Sequence, residues 1–269
     1  MESTPPPPVG PPPPPPGLVS APARATVGAG PAEVLAEQGG PNFTTGPTAG
    51  TTFPLLQSAM SWNGPRIGAD GARNASGGTA TVEAGQLRVT YDSSPSSGYA
   101  DLDWTRIGSW EVPTDWYVEP GAIGSFVVGY VTPPTSVQAS GSATYTGRAE
   151  GTVLYPLNGV ATQGALTGGS ASFTADFGAR TVAGSITGLS FDGAPWNNFT
   201  FNSTIIASSF SGDTRVSSTP DGVASLAGNA TGTLEGRFFG PLAEEAGAVW
   251  TLFDGTNAAI GTLSGRRGP

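Results

Sequence analysis

The sequence predicts an all-β protein: an eight-stranded antiparallel up-and-down β-barrel, preceded by a smaller β-rich region and, before that, a disordered proline-rich N-terminal arm. Three observations predict it. Glycine (41) and proline (26) are abundant among the 269 residues while only 12% are charged, the profile of a turn-rich β protein rather than a helical one. The second half of the chain alternates apolar and polar residues with a period of two, which puts them on opposite faces of strands. The gaps between those runs are short and rich in Asp-Gly, Gly-Gly and Asn-Gly, which supply the positive backbone angles of tight hairpins.

Residues 1–50 hold Pro5 to Pro8 and Pro11 to Pro16, which favour an extended polyproline II spacer, followed by Ala, Gly and Thr without a sustained period. So few apolar residues cannot share a core, and the segment reads as a tether in which Ala32 to Gln38 form one helical turn or two at most. Residues 51–135 read as a first β region, with strands expected at 85–91, 99–104, 116–118 and 124–131 between Gly, Pro and Ser. Thr132-Pro-Pro-Thr135 marks its end.

Residues 136–269 carry the regular alternation. Ala143, Tyr145, Gly147, Ala149, Gly151, Val153 and Tyr155 fall on one face of a strand, against Ser142, Thr144, Thr146, Arg148, Glu150 and Thr152 on the other. Runs at 142–155, 170–177, 181–191, 198–210, 223–232, 234–239, 248–254 and 258–264 make eight strands, a number whose barrel interior is filled by its own side chains. The Gly-rich stretch Gly159 to Gly169 reads as a hairpin loop, since it lacks the Lys and following helix of a phosphate cradle. Near the C-terminus, Gly240-Pro241 stops the strand at Arg237 to Phe239, because proline has no amide hydrogen for a ladder. Glu244 and Glu245 are expected outside the sheet, as structural turn residues, and Asp254-Gly255 joins a final hairpin of Val249 to Phe253 and Ala258 to Leu263. The outward faces are polar, the reverse of a membrane-spanning barrel.

The chain has no Cys and no His, and all eleven basic residues are Arg. That excludes Ser-His-Asp and Cys-His nucleophile systems, ordinary zinc, haem-His and iron-sulfur sites, Walker A loops and Schiff bases. No catalytic residue, cofactor or metal is assigned. Paired carboxylates survive the count, so a carbohydrate-active protein stays as a lesser alternative. A net charge of -9 and a pI near 4.4 argue against nucleic acid and anionic membranes as partners. No stretch reaches the roughly 18 apolar residues of a membrane helix. Met1 runs straight into polar residues and proline, without a secretory signal.

Trp104, Trp110 and Trp116 fall within thirteen residues, together with Asp115 and Tyr117. Core packing is one reading of this cluster and an exposed recognition surface the other, since Trp and Tyr dominate binding hot spots. The five residues are the candidate ligand contacts. Asp101-Leu-Asp103 lacks the further ligands of a Ca²⁺ loop and reads as a strand edge. Asn42, Asn74, Asn198, Asn202 and Asn229 open Asn-x-Ser/Thr triplets that chance produces in so polar a chain.

The segment Gly236-Arg-Phe-Phe-Gly-Pro-Leu-Ala-Glu-Glu-Ala-Gly-Ala-Val-Trp250, with the closing Gly265-Arg-Arg, resembles the β-barrel domain of transferrin-binding protein B and related surface lipoproteins. Tyr145-Thr-Gly-Arg-Ala-Glu-Gly151, the run Ala175 to Thr187 and Phe210-Ser-Gly212 fit the same barrel in order, so the resemblance covers about residues 140–267. It implies a single lobe in which the first β region is a handle-like unit. It also implies a Gram-negative protein on the outer membrane surface or secreted, capturing an extracellular protein or small nutrient ligand of the iron- or haem-carrier type, with an outer-membrane receptor as a further partner. Membrane contact is then expected only through a lipid anchor, and Met1-Glu-Ser-Thr-Pro stands where the lipid-modified Cys belongs. A structural or adhesive envelope component is the alternative reading.

Overall fold

The computed structural model describes residues 33–39, 79–84, 87–92, 102, 104–111, 123–129 and 131–269. Among them the first β region is a five-stranded antiparallel sheet of β1 (Glu33–Gly39), β2 (Thr79–Ala84), β3 (Leu87–Asp92), β4 (Thr105–Glu111) and β5 (Ile123–Gly129), in the order β1-β5-β4-β3-β2. After one 3-10 turn at Pro134–Ser136 come β6 (Ser142–Leu157), β7 (Val160–Asp176), β8 (Thr181–Thr187), a small tongue of β9 (Ser190–Phe191) and β10 (Ala194–Pro195), and then β11 (Asn198–Ile206), β12 (Ser209–Ser218), β13 (Thr231–Phe239), β14 (Glu245–Phe253) and β15 (Ala258–Arg267). Apart from the tongue, each strand of this set pairs antiparallel with the next, and β15 returns to β6. The circle closes as the eight-stranded barrel that the alternation predicts.

The alternation is realised in burial. Along β11, Phe199, Phe201, Ser203 and Ile205 point inward and are buried, while Thr200, Asn202, Thr204 and Ile206 are exposed. The interior is packed with aromatic rings: Tyr145 stacks on Phe173 with centroids 5.1 Å apart, Phe238 lies against Phe177 and Phe210, and Phe199 meets Trp250 at 4.7 Å. Such contacts add to the area each ring buries.

Several strand boundaries differ from expectation. The run 198–210 is two strands, because Ala207 takes a positive φ of 56° and turns β11 back into β12. The run 223–232 is mostly a loop between β12 and β13. Gly159 to Gly169 is no loop: the turn is only Asn158-Gly159, and β7 runs through the glycines paired to β6 and, at Leu166 and Thr167, to β9. In the first sheet, the segment expected to form a helical turn at Ala32 to Gln38 supplies strand β1 instead, paired along β5 from Glu33 to Gly39, so this sheet draws on residues inside the proline-rich arm. Strand β4 occupies a stretch noted only for its tryptophans. The rest of that arm, the strand expected at 116–118, and Asp101, Asp103, Asn42 and Asn74 lie outside the described residues.

The first sheet packs on the outer face of β14 and β15, which are therefore buried on both sides. Ile107 and Val127 cluster with Phe239 and Val249, and Ile123 with Leu154 and Ile260. The layers approach so closely at Gly247 that a Cβ there would lie 2.7 Å from a Val127 methyl. The same cover buries Glu245, the first residue of β14, at 0% exposure, correcting its placement outside the sheet.

Candidate binding surface

Because neighbouring strands alternate in direction, the barrel has two unlike ends. The end near the link from the first sheet holds the connections 177–180, 207–208 and 240–244 and the start of β6. Here the Tyr145 hydroxyl, inside the barrel, donates to the Ala243 carbonyl at 2.8 Å. Burial pushes the Tyr145 phenol far above its ordinary range; Arg267 opposes the rise and Glu244 adds to it. Thr132 donates its hydroxyl to the Gly240 carbonyl at 2.7 Å and its N–H to the Phe238 carbonyl at 2.8 Å, fastening the link to the barrel.

The opposite, distal end holds the connections 158–159, 188–197, 219–230 and 254–257. Three of these interlock. Asn197, fully buried, donates through Nδ2 to the Leu226 carbonyl at 2.9 Å and accepts the Leu226 N–H on Oδ1 at 2.8 Å. Trp196 Nε1 donates to the Ala224 carbonyl at 2.9 Å. From the third connection Asp254 accepts the Ala227 N–H at 2.9 Å and Asn257 donates to the Ser225 carbonyl at 2.9 Å. Ala224, Leu226 and Ala230 are thereby pressed down as a buried lid over the aromatic interior.

Above that lid the surface is apolar and acidic. Val223 is 72% exposed, and at the tip of the β6–β7 hairpin Leu157 is 43% and Val160 65% exposed. Asp192 and Asp221 are exposed on neighbouring connections. With the interior full of rings, the room for a ligand is on the outer surface, and loops held by a rigid scaffold are the usual place for recognition. Among the described residues no group of His, Cys, Asp and Glu is arranged to hold a metal.

The five residues singled out in the sequence fall differently. Trp104 is half-buried at the junction of sheet and barrel, packed on the cluster of Ile107, Val127, Phe239 and Val249, with its backbone N–H donating to Glu245 Oε2 at 2.9 Å. Trp110 lies in β4, opposite Val89 of β3 and Gly124 of β5. Asp115, Trp116 and Tyr117 lie outside the described residues. The distal surface was missed. Its one local signal is the apolar pair flanking Asn158-Gly159; Asn197 leaves none, because its partners stand 21 to 29 residues away.

Residues 137–267 match the family model described as the C-lobe and N-lobe β-barrels of Tf-binding protein B. Among solved structures, a variant of the transferrin-binding protein B vaccine antigen of Haemophilus parasuis Hp5 superposes with a TM-score of 0.59 at 17% identity, over 87% of this chain and 45% of the other. The isotype 1 transferrin-binding protein B of serogroup B Neisseria meningitidis gives 0.56 at 17% identity, over 88% and 43%. Intact Ap-TbpB, with its N and C lobes, gives 0.56 at 16% identity, over 87% and 46%. The chain thus spans less than half the length of these proteins, and at identities this low the superpositions establish the shared fold alone. No curated protein sequence matches the chain.

Proposed function

We infer, from residues 137–267 being a β-barrel domain of the Tf-binding protein B type, that this chain is a surface-exposed or secreted bacterial protein that captures an extracellular protein ligand without catalysis. One observation carries the reading: three distal connections are locked into a platform that keeps Val223 in solvent, and the β6–β7 hairpin at the same end exposes Leu157 and Val160, on a barrel with a filled interior. Apolar groups rimmed by carboxylates on a rigid support suit a macromolecular surface, where a few desolvated contacts provide most of the affinity.

In this reading the ligand is an iron- or haem-carrier protein, and the transferrin-binding proteins of like fold name the iron-carrier member of that class. The proline-rich stretch ahead of β1 is a spacer that holds the two β units off the outer membrane, to which a lipid anchor would attach it, and an outer-membrane receptor takes the cargo onward. Trp110, Asp115, Trp116 and Tyr117 are proposed as further contacts from the first β region, and Trp104 as the residue that fixes that region to the barrel.

The test is capture by the full chain displayed on beads and offered iron-carrier and haem-carrier proteins beside envelope proteins of the source organism. Saturable retention of one carrier, weakened by Val223→Asp, is the expected result. Retention only of envelope proteins, or of the chain itself, would replace nutrient capture with a structural or adhesive role.

A further inference from the structure

The tip of the β6–β7 hairpin is built for a covalent change. Asn158 and Gly159 form its entire turn, with φ of 53° and 79°, the pair of positive angles that a two-residue primed turn requires. The last rung of the ladder is Leu157↔Val160, so the Gly159 nitrogen lies outside the strand hydrogen bonds. Both residues are exposed, and nothing lies within 4 Å of the place a Gly159 Cβ would take. Among the described residues the Asn158 amide has no hydrogen-bond partner.

These features bring an unencumbered backbone nitrogen next to a free carboxamide. We propose that Asn158 is a spontaneous deamidation site that alters the distal surface as the protein ages. The Gly159 nitrogen loses its proton and attacks Asn158 Cγ; the new C–N bond closes a succinimide as the bond to the side-chain NH₂ breaks and ammonia leaves. Water then opens the ring at either carbonyl. One opening leaves an aspartate in the normal backbone, and the other an isoaspartate whose backbone runs through the former side chain. No oxidant or reductant is needed.

The surroundings give the change a consequence. Every distal connection contains an Asx-Gly step, at Asn158-Gly159, Asp192-Gly193, Asp221-Gly222 and Asp254-Gly255, and Asn158 supplies its one uncharged member. Deamidation places a negative charge between exposed Leu157 and Val160, and the isoaspartate adds a methylene to a turn that has room for two residues. By contrast Asp254 is held by the Thr256 and Asn257 amides on Oδ1 and the Ala227 amide on Oδ2. The effect on ligand capture rests on the function proposed above; the chemistry does not.

The full chain is incubated at neutral and mildly alkaline pH, and peptide mapping by mass spectrometry with isoaspartyl detection follows Asn158 beside Asn202 and Asn229, which are exposed but precede Ser203 and Ala230. Expected is conversion at Asn158 several-fold faster than at either control, rising with pH and abolished by Asn158→Ser. Survival of Asn158 for as long as Asn202 and Asn229 would overturn the proposal. Binding is then compared between fresh, aged and Asn158→Asp protein. A loss of binding on ageing that the serine variant escapes is expected; equal binding by all three would remove the regulatory part, and capture of no carrier by fresh protein would count against the proposed function alone.

Discussion

Glu245 of the barrel accepts, on Oε2, the backbone N–H of Trp104 in the first sheet at 2.9 Å, and its Oε1 lies 3.4 Å from Arg266 Nη2. One buried carboxylate thus bridges both layers and neighbouring strands β14 and β15. Burying a charge is tolerable only when it is paired and hydrogen-bonded. Glu245→Ala removes an acceptor and leaves the Trp104 N–H and the partly exposed Arg266 guanidinium each short of one, a change worth about 1–3 kcal/mol. Denaturant unfolding should show that loss, and limited proteolysis should cut the first sheet before the barrel. A barrel and sheet as resistant in the variant as in the parent would contradict the bridge.

The Tyr145 hydroxyl gives a pH prediction. Its folded-state pKa is raised by burial above the ordinary value of about 10, so the unfolded chain releases this proton first. The contribution to stability is complete below that unfolded value and is lost progressively as pH rises above it. Chemical denaturation across this range should show stability falling with pH, with a smaller slope in Tyr145→Phe. At neutral pH the same variant should lose about 1–2 kcal/mol, because the buried Ala243 carbonyl loses its donor.

Asn197 ties the 219–230 connection to the barrel through both of its amide atoms. Asn197→Ala loses both the donor and the acceptor, and Asn197→Asp loses the donor while setting a buried carboxylate against the Leu226 and Ser218 carbonyls, so both should destabilise, the alanine variant by about 2–4 kcal/mol and the aspartate variant by at least as much. Hydrogen exchange should quicken at Leu226, whose N–H is the one Asn197 holds. Equal protection of Leu226 in parent and alanine variant would mean that the lid does not depend on this side chain.

How far these sites could be read in advance depends on where their partners lie in the chain. The closed barrel follows from local rules: alternation sets which of Phe199, Thr200, Phe201 and Asn202 face inward, and Asp254-Gly255 sets the last hairpin. Glu245 could not be placed this way, because its burial is imposed by a sheet whose strands come more than a hundred residues earlier. The glycines of β7 were misread for a related reason. Gly164 and Gly169 read locally as a loop, yet in the fold they are where the Phe191 and Leu189 side chains approach the strand. Trp104 shows the limit for the site itself, since aromatic composition alone does not distinguish a ring packed at a junction from one displayed to a ligand.

Gly247 tests the docking of the two units directly. With no side chain it lets the outer face of β14 meet Val127 and Thr105, and an added Cβ would stand 2.7 Å from the valine methyl and 3.1 Å from the threonine one. Neither neighbour has space to retreat, since both are fully buried. Gly247→Val therefore has to push the sheets apart, opening the cluster of Ile107, Val127, Phe239 and Val249. Overpacking of this kind costs about 1–3 kcal/mol. The barrel interior lies on the other face of β14, so Trp250 should keep its environment while Trp104 becomes more exposed. Tryptophan fluorescence quenching in a background with Trp62, Trp110, Trp116 and Trp196 changed to Phe, which leaves Trp104 and Trp250, separates the two rings when Trp104→Phe serves as the reference. Increased quenching that persists when Trp104 is absent would place the damage inside the barrel and refute the docking role assigned to Gly247.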